Sequence, residues 1–157
     1  MATELCLISV SDAELQQFHN DPSLLSALRE KCDAEPFGAN HRNVEIFHFL
    51  LNGTRASVPG PLGLFLTWLG DVEVDASYRI DDESFGMVSS DVTALVSALE
   101  DLTDERIRER WRQWQEQKGI DPEKDGDLDF FPVSFGLFRK YCTQAMHSGK
   151  AIVWVAG

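Results

Sequence analysis

Four histidines are the first residues to weigh for chemistry, and only His48 stands inside an apolar run, where Asn43 to Thr54 reads NVEIFHFLLNGT. An imidazole among apolar side chains suits proton transfer or metal ligation, because its charge changes near neutral pH. General-base work also needs a nucleophile and an orienting group, and no Ser, Cys or carboxylate is spaced to complete such a set with His48. The pattern favours a hydrogen-bonded core histidine. His19, His41 and His147 fall near helix ends or loops, and no HExxH, HxH or CxxC pattern occurs, so neither a zinc site nor a catalytic residue is expected.

Two other stretches imitate sites. Asp121-Pro-Glu123-Lys-Asp125-Gly126-Asp127-Leu128-Asp129 alternates acids ahead of a glycine, as the start of a calcium-binding loop does. Counted from Asp121, however, the twelfth position is Pro132 where a bidentate Glu is required, so a solvated acidic loop is expected and no metal or cofactor. Gly53 to Gly60 lacks the Gly-Lys-Ser/Thr ending whose lysine and hydroxyl would hold phosphate and magnesium. The arginines between Asp104 and Lys118 have Glu105, Glu109 and Glu116 as intrahelical partners and read as ion-paired surface.

Charge carries more information than any motif. With 26 acids against 14 Lys and Arg the formal charge is −12, which repels nucleic acid and anionic membranes and either favours basic partners or simply keeps the protein soluble. The acids concentrate: ten stand against one base between Asp71 and Asp104, and five against one between Asp121 and Asp129. Aromatic residues are interleaved with them. A negative field speeds encounter with a basic protein and aromatic anchors slow its release, so the expected contact residues are Asp71, Glu73, Asp75, Tyr78, Asp81, Asp82, Glu83 and Phe85 in the first region. In the second they are Asp121, Glu123, Asp125, Asp127, Asp129 and Phe130. A nuclease, whose cleft must be positive to hold a phosphate backbone, is the kind of basic partner such a surface can plug. The rival expectation is a small-molecule or enzymatic site near His48 and the Gly53 to Gly63 loop, and self-association through Trp111 and Trp114 is a third.

The elements that must position these residues can be read in order. A chain of 157 residues, 43% hydrophobic, can bury one core, so a single domain over 1–157 is expected. Leu5 to Val10 reads as a strand, Ser11 to Glu14 as a capping box, and Asp21-Pro22 as the start of a second helix carrying Leu24, Leu25 and Leu28 inward. Glu35 to Gly38 reads as a turn. The central run reads as a buried helix with Val44, Phe47, His48 and Leu51 on one face and Asn52 toward solvent. Asp71 to Ile80 alternates like an edge strand, Ser89 or Ser90 and then Thr103 cap two helices, Pro132 to His147 forms a third, and Ala151 to Ala156 is a terminal strand. The fold class is α+β, with several helices packed on a small mixed sheet that includes the N- and C-terminal strands. No run of about 18 apolar residues occurs, the N-terminus has no basic region ahead of its apolar residues, and Cys6, Cys32 and Cys142 suit free buried thiols. A cytoplasmic address is expected.

The NVEIFHFLLNGT run, Pro61-Leu62-Gly63, the stretch SSDVTALVSALEDLTDERIRERW, the Gly119-Ile120-Asp121-Pro122 step and the ending LFRKYCTQAMHSGKAIVWVAG together resemble the YfbM-like family of uncharacterised bacterial proteins over nearly the whole chain. Val44 stands where that family usually carries Trp, and Asn52 where it carries Thr. The resemblance implies a compact α+β domain and no established catalytic activity. It extends to proteins encoded beside antibacterial toxins, including cargo of type VI secretion systems, which implies an immunity role.

Overall fold

The two strands at opposite ends of the sequence lie side by side at the centre of the fold. In a computed structural model that describes residues 4–29, 36–40, 43–69, 78–81, 84–119 and 130–156, β1 (Glu4–Val10) pairs antiparallel with β5 (Ala151–Ala156), from Leu5 opposite Ala156 to Val10 opposite Ala151. Three shorter strands extend the sheet: β2 (Pro36–Asn40), β3 (Arg79–Asp81) and β4 (Ser84–Met87), in the order β2-β1-β5-β4-β3. Every described pairing is antiparallel, where a mixed sheet is the expectation from sequence.

Because side chains alternate across a strand, the sheet separates two cores. Leu7, Phe85, Met87, Ile152 and Trp154 face the larger one, with Phe85 stacked on Trp154 at 4.9 Å between ring centres. Cys6, Val10, Ala151, Val153 and Val155 face the smaller, which Leu15 and Phe18 of α1 (Asp12–Asn20) and Leu25 and Leu28 complete. Leu28 belongs to a short α2 (Ser26–Arg29), which follows a 3-10 turn over Pro22–Leu25. That tight start turns Leu24 outward, contrary to its expected inward position. Both faces of β5 are covered, which explains why AIVWVA reads as a continuous apolar run rather than an alternating one.

The larger core is built by α3 (Val44–Asn52), a 3-10 segment over Gly60–Leu69, α4 (Ser89–Glu100), α5 (Asp104–Lys118) and α6 (Phe130–His147). Several ends follow the sequence signals. Ser11 and Glu14 form the reciprocal capping box, Thr103 accepts from the Arg106 amide, and Gly53 and Gly119 close α3 and α5 at φ +69° and +68°. The α4 terminus departs from expectation. Its N-cap is Val88, and the carboxylate of Asp12, 77 residues away, accepts from the amide of Ser89 at 2.8 Å and from its hydroxyl at 2.5 Å.

Two further expectations are corrected. Pro36 to Gly38, read as turn, belong to β2, an edge strand where proline is tolerated. Cys6 is disulfide-bonded rather than free, so the cysteines do not argue for a reducing compartment. Cys142 is free and buried, and burial pushes its thiol far up, leaving it unreactive at neutral pH. Among the described residues no helix is long and apolar enough to cross a membrane.

Candidate functional site

His48 is fully buried on α3 and both of its ring nitrogens are occupied. Its Nε2 lies 2.9 Å from the Ala56 carbonyl, which can only accept, so Nε2 carries the proton. Its Nδ1 is then an acceptor, and the Asn52 amide donates to it at 3.2 Å. The same amide donates to the Leu62 carbonyl at 2.9 Å, so Asn52 is turned inward rather than toward solvent. One turn of α3 thus holds the loop at Ala56 and again at Leu62. Burial, the dominant influence, lowers the imidazole's affinity for a proton, against smaller opposing contributions from the Ala56 bond and Glu45. With its proton and its lone pair both committed within the fold, the neutral ring straps a loop.

The far end of α3 is fixed by Arg110, whose Nη1 donates to the carbonyls of Leu50 and Leu51 at 2.9 and 2.8 Å. A cation there suits the negative end of the helix and satisfies carbonyls with no intrahelical partner. Arg106, by contrast, meets Glu109 at 3.4 Å on the exposed side of α5, as the sequence implies. Trp111 and Trp114, through which self-association is the third expectation, are buried in the main core. Among the described residues no three His, Cys, Asp or Glu side chains come together as a metal-ligand set.

The expected contact residues divide. Asp71, Glu73, Asp75, Asp82, Glu83, Asp121, Glu123, Asp125, Asp127 and Asp129, and with them the calcium-like stretch, lie outside the described residues. Of the rest, Tyr78 is buried with its hydroxyl 3.4 Å from Asp91, and Phe85 is buried against Trp154, so neither can anchor a partner. Asp81 is half-buried and accepts from the Ser84 hydroxyl. Phe130 is the exposed member, at the first residue of α6.

The structure adds a surface that the sequence reading missed. Glu100, Asp101, Asp104 and Glu105 are all exposed at the corner between α4 and α5. Arg139 of α6 binds this corner, donating to the Leu102 carbonyl at 2.9 Å and reaching Asp104 at 3.4 Å. The available signal was the capped boundary at Thr103, which places acids of both flanking helix ends at one corner.

These features define an α+β domain in which a five-stranded antiparallel sheet carries helices on both faces, and which presents acid at its surface. No protein-family model and none of the curated protein sequences matches the chain. The fold is similar to the crystal structure of YfbM from Escherichia coli, a protein of unknown function, with a TM-score of 0.60 and 15% sequence identity over 98% of this chain and 99% of that one. The likeness is one of fold, in agreement with the YfbM-like architecture read from the sequence.

Proposed function

We propose that this chain is an immunity-type protein that binds and neutralises a basic antibacterial toxin, a nuclease effector of a type VI secretion system. The observation that carries the reading is the excess of acid, −12 over the chain, displayed at a surface corner where Glu100, Asp101, Asp104 and Glu105 are exposed. Such a field accelerates encounter with a positive cleft and competes for the Lys and Arg that would hold a phosphate backbone. An enzymatic or small-molecule site at His48 and the Gly53 to Gly63 loop is the weaker reading, because both ring nitrogens already serve the loop.

The test is co-purification of the tagged chain with the product of the neighbouring reading frame, followed by a nuclease assay on the free and bound partner. A stoichiometric complex without nuclease activity, associating more slowly as salt rises, is the expected result. No complex, or a complex that leaves the nuclease active, would sink the proposal. The cytoplasmic address belongs to the same reading, whereas the Cys6 disulfide weighs toward an oxidising compartment. Fractionation of the producing cell decides between them.

A further inference from the structure

Helix α6 is apolar on two sides. Its inward side, Phe135, Phe138, Cys142 and Ala145, is buried in the main core. Phe130, Val133 and Leu137 recur at i, i+3 and i+7 and so share another face, yet they remain 42%, 59% and 36% exposed. They are three of the five large apolar side chains exposed among the described residues, gathered on one helix.

Two further observations set this face apart from an ordinary surface. Gly136, exposed beside Val133 and Leu137, has nothing within 4 Å of the place its Cβ would occupy. Glycine inside a helix weakens it relative to alanine, and no neighbour among the described residues requires the gap; what it leaves is room for close approach from outside. Phe130, meanwhile, is held from within. Its ring meets Phe131 edge-on at 5.0 Å, and Phe131 in turn lies 4.8 Å from Trp111 and 5.9 Å from Phe47. An exposed ring backed by a ladder of core rings loses little freedom when a partner covers it.

Charge selects the occupant. Five acids stand among the nine residues that lead into Phe130, and the exposed Glu100 to Glu105 corner is tied to α6 through Arg139. Lys140, three residues beyond Leu137 on the same face, and His147 at the C-terminal end are the exposed bases of α6. A second copy would bring −12 against −12, whereas a protein with a basic rim around an apolar recess would find complementary charge at the edge and apolar surface at the centre.

We infer that the Phe130, Val133 and Leu137 face of α6 is the docking surface for a basic protein partner, with the acidic corner meeting its Lys and Arg. The inference rests on the proposed immunity role and adds where the partner sits. The probe is the purified product of the neighbouring reading frame, titrated at low and high salt against the full chain, a Val133→Ser, Leu137→Ser double variant and Gly136→Ala. The double variant should keep its melting temperature and bind roughly tenfold or more weakly, mostly through faster dissociation. Gly136→Ala should melt about 2–4 °C higher and still bind less well. If the unaltered chain binds and both variants bind equally well, the docking surface is wrong while the immunity role stands. If the unaltered chain does not bind, both fall. Self-association of the unaltered chain in sedimentation, abolished in the double variant, would assign the face to a second copy and overturn the basic partner.

Discussion

Because the Asn52 amide donates to His48 Nδ1 and the Ala56 carbonyl accepts from Nε2, a second proton on the ring would set two donors against each other in a fully buried site. The folded state therefore resists protonation, and its imidazole lies below the ordinary 6.5, with burial the main cause. In the unfolded chain the ring titrates at its ordinary value, so below 6.5 the unfolded state binds more protons and unfolding is favoured as pH falls. This contribution to stability is complete above 6.5 and is lost progressively toward the lowered folded-state value. The ceiling is about 1.4 kcal/mol per pH unit, so at about pH 5.5 the loss is at most about 1.4 kcal/mol, or roughly 3–5 °C in Tm for a chain of this size. The assay is urea unfolding at about pH 7.5 and about pH 5.5 for the natural chain and for His48→Gln, whose amide can still donate to Ala56 but cannot titrate. The natural chain should lose stability over this interval by up to that amount more than the variant. Equal losses in the two proteins would refute the assignment of the pH dependence to His48.

Two further predictions test long-range features of the fold. Asp12→Ala removes the acceptor at the α4 terminus and should lower the stability by about 0.5–2 kcal/mol in urea unfolding, and adding Val88→Asp, at an extended N-cap position, should recover much of it. A Cβ on Gly63 would stand 2.1 Å from the Val58 carbonyl, so Gly63→Ala forces a backbone shift in the strapped loop and should destabilise by about 1–3 kcal/mol, read from the same transition.

The sequence by itself determined the features whose cause is local. Val44, Phe47, His48 and Leu51 recur at helical spacing and fold as α3; Ser11 with Glu14 and Thr103 start helices; Gly53 and Gly119 stop them, because these choices depend on residues within a turn of one another. It also carried the charge, which is a sum and needs no coordinates. The inward stripe of α6, Phe135, Phe138 and Cys142, recurs at helical spacing in the sequence, but that a second apolar face stays outside was not legible. From Phe130 to Phe138 nearly every position of α6 is apolar, and only packing against Phe47, Phe65 and Trp154 buries Phe135 and Phe138 while leaving Val133 and Leu137 outside. Phe85, a candidate anchor by residue type, is buried because β4 pairs with β5 and stacks it on Trp154, a contact between distant parts of the chain, and Tyr78, another, is buried in the same core. The same holds for Asp12 capping α4, Arg110 turning in to the end of α3, and the Ala56 and Leu62 carbonyls reached from His48 and Asn52. Periodicity fixes which side chains share a face, but only the tertiary structure brings a particular face against its partner.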